Sequence, residues 1–207
     1  MFDLSLQAMD VSGCVDAVVL VVPPAEVARA EGLLSDLGRT AMVRDVVAGG
    51  ATRQQSVRRG LAAIHEDVEV VVCQDAARPF ASADLYARVV ARLRGEGSPD
   101  GVIPVVPSPD TVKRLRDGWV AETLPRRELG LAQTPQAFMG EALRTAHDRA
   151  VFDATDDAMV LEAAGFRVAV VEGEDSNFKI TSPADLARAE QVLAGMAASG
   201  GGDGRDG

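Results

Sequence analysis

The chain has 207 residues, enough for one large α/β domain with a sizeable core, and its 31 acidic against 21 basic side chains leave a formal net charge of −10. That balance argues against a nucleic-acid-binding surface, while leaving room for a local basic pocket such as one for phosphates. No apolar run approaches the ~20 residues that cross a bilayer, and the longest, 17–22, is strand-sized.

Residues 2–11 place Phe2, Leu4, Leu6, Met9 and Val11 in a pattern that predicts a short amphipathic helix. Residues 17–22 read as a buried strand stopped by Pro23-Pro24, and 24–37 as a helix closed by Gly38. A short strand at 41–47 then leads into Gly49-Gly50 and on to Val57, a glycine turn that opens into a helix with Val57, Leu61 and Ile64 on one face.

Residues 68–80 are the centre of the pattern. Val68, Val70, Val71 and Val72 are β-branched and predict a strand at 68–73, which ends abruptly in Asp75, Ala76, Ala77, Arg78 and Pro79. Ligands of open α/β sheets bind outside the carboxyl ends of the strands, so an acid and a base delivered there suggest chemistry. A helix-capping aspartate beside a surface arginine is the competing structural account.

A helix at 82–93, with Ser82 and Asp84 at its start, and a strand at 101–106 continue the alternation. Residues 111–123 break it, because two short strand-like runs flank Asp117-Gly118, a strong hairpin signal. A lone hairpin is marginal in water, so a second copy of the chain is the simplest surface for such an arm to pack on. Residues 133–138 read as a proline-interrupted stretch leading to a helix at 140–149. A helix at 156–164, a strand at 167–171 and a helix at 184–193, started by Ser182-Pro183 and closed by Gly195, follow. The expected organisation is one domain over 1–195 with an arm at about 110–135, then a disordered tail at 196–207. Cys14 and Cys73 lie in or beside apolar runs without Cys/His partners at zinc-ligand spacing, and no secretory apolar region precedes the first element, which predicts a reduced, cytoplasmic protein.

The motifs Gly49-Gly50…Arg53…Ser56-Val57, Asp75-Ala76-Ala77-Arg78-Pro79, Asp110-Thr111-Val112-Lys113, Glu122-Thr123-Leu124-Pro125-Arg126, Gln133-Thr134-Pro135-Gln136, Thr155-Asp156-Asp157-Ala158 and Asn177-Phe178-Lys179-Ile180-Thr181 occur in one order. This set resembles the 2-C-methyl-D-erythritol 4-phosphate cytidylyltransferases. The resemblance implies an α/β, Rossmann-like, mostly parallel sheet with helices on both faces and a projecting β-hairpin arm. It implies transfer of CMP from CTP to a sugar-alcohol phosphate with release of pyrophosphate, in a homodimer that exchanges arms. Gly50, Ala51, Arg53, Ser56, Asp75 and Ala76 would then bind the nucleotide. Arg78, Thr111, Arg126, Thr134, Thr155 and Lys179 would hold the acceptor. Departures from the family's pattern are Ala51-Thr52, where an acidic residue is common, and Gln74, where histidine is.

Attack of a phosphate oxygen on the α-phosphorus of CTP brings anions together, so cations and a metal are the natural tools. Asp75 would hold Mg²⁺, which binds through one or two carboxylates plus substrate phosphates. Lys179 would supply a point charge, and Arg126 and Arg78 would offer guanidinium forks to the incoming phosphate; Asp75, Lys179 and Arg126 are the expected catalytic residues. Simpler accounts compete: Ser56 as a helix-start hydroxyl, Thr134 as a turn residue, Arg58 and Arg59 as a solvated helix face, Asp156 and Asp157 as first-turn carboxylates, and Cys73 as a small buried hydrophobe. His65 and His147 receive no role.

Family members open with a strand and a glycine-rich loop of the Ala-Ala-Gly-x-Gly-x-Arg type, followed by Pro-Lys, that holds the triphosphate. No stretch of this sequence matches it, so the expectation is a sheet lacking its first strand and a site lacking that cradle, with activity reduced or lost. The alternative readings are a ribitol-5-phosphate cytidylyltransferase, and a non-catalytic dimeric module that binds a nucleotide or a protein.

Overall fold

Valine-rich runs bounded by proline, glycine or aspartate become the strands, and helices start where a hydroxyl or carboxylate side chain can take the first free amides. The computed structural model describes residues 2–64 and 67–200, with side chains to residue 196. His65 and the 201–207 part of the expected tail lie outside the described residues.

The helix α1 (Phe2–Ser12) buries Leu6 and Met9 and leads to β1 (Val18–Val22), which pairs in parallel with β2 (Val43–Ala48). Between them the predicted single helix is divided. Pro24–Glu26 forms a 3₁₀ turn closed by the Glu26 amide on the Pro23 carbonyl at 2.8 Å, and α2 spans Val27–Asp36. Gly38 closes α2 in the left-handed region at φ +66°, letting the Arg39 amide reach the Leu34 carbonyl at 2.9 Å. The helix α3 (Arg53–Ala63) is capped by Thr52, whose hydroxyl accepts from the Gln55 amide. Then come β3 (Val70–Cys73), α4 (Ala83–Arg94) capped by Ser82, and β4 (Gly101–Pro107).

The hairpin forms as predicted, with β5 (Lys113–Arg116) and β6 (Trp119–Thr123) joined by Asp117 and Gly118 at φ +50° and +81°. Both central residues have positive φ, the mirror-type turn whose twist suits a hairpin. Arg114 and Glu122 form an ion pair across it at 2.9 Å. The chain returns through β7 (Gly130–Ala132) to β8 (Gln136–Met139), then α5 (Gly140–Arg149), α6 (Asp157–Ala163), β9 (Val168–Glu172) and α7 (Pro183–Gly200). Gly195 does not close α7, which runs on through residues read from sequence as disordered; the flanking alanines and Met196 are strong helix formers that outweigh one glycine.

The segment read as a proline-interrupted approach to a helix is a central strand. β8 lies antiparallel between β3 and β4, and β9 pairs in parallel with the other side of β4. β3, β4 and β9 therefore share one direction, with β8 and β7 opposed, and β1 and β2 form a separate parallel pair. Four residues are too few to show a period, and Pro135 removes a donor just before them, which is why this strand was illegible.

The strand alternation divides the core. Val71, Ile103 and Phe138 face Leu61, Leu143, Ala146, Val160 and Leu161 of α3, α5 and α6. Val102 and Ala137 face Val89, Val90 and Leu93 of α4 on the opposite side. Among the described residues no helix is long and apolar enough to cross a membrane.

Gly101 makes room for the fully buried Phe138 ring, since a Cβ there would fall 2.6 Å from the Phe138 Cδ1. Overpacking of a core by one methyl costs about 1–3 kcal/mol. Gly101→Ala should therefore lower the urea midpoint by that amount of stability with an unchanged slope, and Gly13→Ala, where nothing lies within 4 Å, should show no packing cost beyond its left-handed backbone strain.

Candidate active site

β3 ends at Cys73, and the next residues turn across the carboxyl edge of the sheet. The Asp75 amide donates to the Thr134 hydroxyl at 3.1 Å, because antiparallel pairing of Cys73 with Gln136 brings the start of β8 beside the end of β3. The Arg78 amide donates to the Asp75 carbonyl at 2.9 Å, and the Gln74 side-chain amide donates to the Asp75 and Arg78 carbonyls at 3.1 and 2.8 Å. The turn that carries Asp75 is thus closed on both sides.

Two cations meet the Asp75 carboxylate. Arg53 Nε donates to Oδ1 at 3.1 Å, and Lys179 Nζ donates to Oδ2 at 2.9 Å. Arg53 stands in the first turn of α3, directly after the glycine loop. That loop is held by the helix it opens: the Gly50 amide donates to Ser56 Oγ at 3.0 Å and the Ala51 amide to Gln55 Oε1 at 2.9 Å. A Cβ on Gly50 would lie 2.3 Å from the Gln55 Cβ, so only glycine fits. Lys179 comes from a loop pinned by the Ile180 amide to the Ala77 carbonyl at 2.8 Å and by fully buried Asn177, which donates to the Thr134 carbonyl at 2.8 Å and Gln133 Oε1 at 3.3 Å.

Arg53 also reaches Asp157, whose Oδ2 accepts from Nη2 at 2.8 Å, while Asp157 Oδ1 pairs with His147 Nε2 at 3.0 Å. Asp157 is 1% exposed and His147 2%. Burial alone would raise the Asp157 carboxyl, but the His147 hydrogen bond and the Arg53 charge outweigh it and hold the group below its ordinary value. Asp75 behaves alike: burial pushes upward, and Lys179 with Arg53 together bring it below the usual carboxylate range. Burial works against the Arg53 charge, yet Asp157 and Asp75 raise it above its usual value. The ionised Asp157 has no proton to give, so His147 Nε2 donates to it. Burial, and then the charge of Asp157, push the Cys73 thiol well up, in keeping with a small buried hydrophobe.

The structure thus gathers Gly50, Ala51, Arg53, Ser56, Asp75, Thr134 and Lys179 at one sheet edge. Exposed Ala76 lies in the same turn as Asp75. Arg78 is beside them, but its guanidinium is committed to backbone, donating to the Asn177 carbonyl at 2.8 Å and the Ala132 carbonyl at 3.1 Å. Burial lowers its pKa, with Asp75 opposing. Thr111, Arg126 and Thr155 do not join the cluster within this chain. Thr111 is exposed before the arm, Arg126 donates to the Pro109 carbonyl at 3.0 Å, and the Thr155 hydroxyl lies 3.9 Å from the Met159 sulfur.

Some roles were misread or missed. Arg58 and Arg59 are not merely solvated: Arg58 donates to the His147 and Ala150 carbonyls, and Arg59 to those of Ala48 and Gly49. Asp156 caps α6 by accepting from the Met159 amide at 3.0 Å, as expected of a first-turn carboxylate, but Asp157 belongs to the buried cluster. A signal existed: Asp157 shares a helix face with Val160 and Leu161, and His147 with Leu143, so both occupy core positions of their helices. One cap needs one carboxylate, which leaves the second to be explained.

Asp75 offers a divalent cation a single carboxylate, and its two oxygens each retain capacity beside one cation. Among the described residues no group of three or more His, Cys, Asp or Glu is arranged to hold a metal. The donor set fits Mg²⁺ shared with substrate phosphates and does not fit an all-protein cage.

An α/β sheet with a carboxylate set between two cations at its strand ends, beside a glycine turn that opens a helix, has the build of a Rossmann-like nucleotidyltransferase. The family profile described as "IspD: 2-C-methyl-D-erythritol 4-phosphate cytidylyltransferase" matches residues 1–195, and the chain belongs to that family. It is 43% identical to a bifunctional enzyme IspD/IspF of Anaeromyxobacter dehalogenans, over 95% of this chain and 50% of that one. It is 39% identical to a 2-C-methyl-D-erythritol 4-phosphate cytidylyltransferase of Geobacter metallireducens, over 91% of this chain and 83% of the relative. The crystal structure of 4-diphosphocytidyl-2C-methyl-D-erythritol synthase from Anaerococcus prevotii superposes with a TM-score of 0.84 at 30% identity, covering 93% of this chain and 88% of that one. The chain spans about half the length of the bifunctional relatives it matches.

The folded Asp157 carboxyl lies below its unfolded value, so its ion pairs stabilise the fold above about pH 4 and lose effect as the pH falls below that. Asp157→Ala should cost about 1–3 kcal/mol at pH 7, because it leaves the buried His147 Nε2–H without an acceptor and removes one of the two partners of Arg53. Urea unfolding at pH 7 and pH 3 should show the wild type losing more stability on acidification than the variant.

Proposed function

We propose that the chain transfers CMP from CTP to 2-C-methyl-D-erythritol 4-phosphate. An oxygen of the acceptor phosphate attacks the α-phosphorus, the bond from the α-phosphorus to the bridging oxygen breaks, and pyrophosphate leaves. The observation that carries this reading is the Asp75 carboxylate held between Lys179 and Arg53 at the sheet edge, in a chain of this family.

On this reading Gly50, Ala51, Arg53, Ser56, Asp75 and Ala76 receive the nucleotide, with the rigid glycine loop as a wall for base and ribose. Thr134 and Lys179 receive the acceptor, Arg78 braces the loops around it through the Asn177 and Ala132 carbonyls, and Thr155 stays outside the cluster. Lys179 is 43% exposed, so its ammonium can shift from Asp75 toward a phosphate without unpacking the core. Asp75 would hold Mg²⁺ together with substrate phosphates, and the ion when bound would neutralise charge on the reacting phosphates. The reading locates the protein in the cytoplasm, which its unpaired cysteines Cys14 and Cys73 support.

Pyrophosphate release from CTP, measured with 2-C-methyl-D-erythritol 4-phosphate and Mg²⁺, tests the proposal. Lys179→Ala should lower kcat about 10²- to 10³-fold, as loss of one preorganised charge does in comparable sites. Chelation of the metal should abolish turnover. Faster turnover with ribitol 5-phosphate would transfer the assignment to that acceptor, and CTP binding without turnover would favour a non-catalytic module.

The arm is proposed to make a homodimer. Leu115, Trp119 and Val120 are 67%, 79% and 61% exposed, an apolar surface unusual for a monomer, and Thr111 and Arg126 lie near the arm, away from their own chain's cluster. The arm would carry them to the partner's acceptor site. Trp119→Asp should shift the species seen by sedimentation velocity from dimer to monomer and lower kcat/KM for the acceptor; a wild-type monomer with full activity would overturn this role.

A further inference from the structure

Asp157 is 1% exposed and so is out of reach of a substrate, yet it is tied to the group that meets Asp75. A guanidinium is planar, with its N–H directions fixed. Anchoring Arg53 Nη2 on Asp157 at 2.8 Å leaves one orientation in which Nε meets Asp75 at 3.1 Å. His147, itself buried, fixes the other oxygen of Asp157 at 3.0 Å. The seam is closed nearby by Arg58, which donates to the His147 carbonyl at 2.7 Å, and by Gln54 Oε1, which accepts from the Ala154 amide at 3.2 Å. α3 and the segment leading into α6 therefore form one unit around Arg53.

The geometry points to Asp157 as a positioning residue that acts through Arg53 to orient the Asp75 carboxylate, with His147 orienting Asp157 in turn. Asp157 touches neither substrate nor reacting atoms and is not itself catalytic. The inference rests on the reading of Asp75 as part of the cytidylyl-transfer site.

A double-mutant cycle distinguishes positioning from general support of the fold. Asp157→Asn is expected to lower kcat/KM for CTP about 10- to 100-fold, the scale on which small misplacements act. In an Arg53→Ala background the same change should cost less than about twofold, since the relay is already cut. Equal losses in both backgrounds would overturn the proposal. A second readout uses the ligand-free protein: hydrogen exchange of the Arg53 Nε–H, followed by ¹⁵N NMR, should accelerate about tenfold or more in Asp157→Asn as the side chain loses its anchor. An unchanged rate would overturn the proposal. If the wild type fails to turn over CTP while this exchange responds, the functional reading falls and the positioning of Arg53 stands. His147→Leu removes the hydrogen bond that orients Asp157 and carries the same exchange test should Asp157→Asn not fold: acceleration is expected as Asp157 loosens its hold on Arg53, and an unchanged rate is decisive against the relay.

Discussion

Arg53 places one positive charge between two carboxylates, 22 and 104 residues away along the chain, one of them wholly out of water. Burying a carboxylate costs several kcal/mol unless a cation and hydrogen bonds compensate, and a guanidinium can serve two acceptors at once where an ammonium of the same charge is a single point. The consequence is structural before it is chemical. With Asp157 from α6 and Asp75 from the turn after β3 both bound to the first turn of α3, the elements that make the sheet edge cannot move independently.

Beneath that charge cluster lies a layer of buried polar side chains. Gln133, Thr134, Gln136 and Asn177 are 0–5% exposed, where an apolar sheet edge would otherwise continue. The stretch 133–136 that leads into β8 brings three of them, and bonds of Thr134 and Gln133 run to the backbone of the loops that carry Asp75 and Lys179. Hydrogen bonds of this kind add little net stability, but losing one partner leaves a buried group unsatisfied, so the layer favours one arrangement over its neighbours. A transferring phosphoryl group needs such a fixed frame, because most of the stabilisation comes from charges already aimed when the reaction begins.

The arm follows the opposite logic. β5 and β6 are exposed along their whole length and hold together through a favourable turn, their short backbone ladder, a Lys113 to Thr123 side-chain hydrogen bond and a surface ion pair worth at most about 1 kcal/mol. A two-stranded ribbon with large apolar side chains facing water is poorly suited to stand alone. The contrast between a locked floor and an unsupported arm is what a site shared between two copies would require.

Much of this was legible from sequence where the controlling interactions are local. The β-branched runs at β1 and β3, the Ser82 cap and the Asp117-Gly118 turn follow from side-chain sterics and nearby hydrogen bonds. Asp75 and Lys179 could be singled out because ordered motifs carried them, and the structure sets them 2.9 Å apart. Where the controlling partner is distant, local pattern was silent. β8 is a strand only because β3 and β4 flank it. Asp157 and His147 looked like ordinary helix residues, and only folding, by removing them from water and turning them toward Arg53, made them part of the site. By itself, then, the sequence determined the local elements, the turn chemistry and the identities of the charged groups, since each depends on neighbours within a few residues. Which of those charges share one buried space was decided by the tertiary structure alone, because desolvation and ion pairing depend on distances that the linear order does not contain.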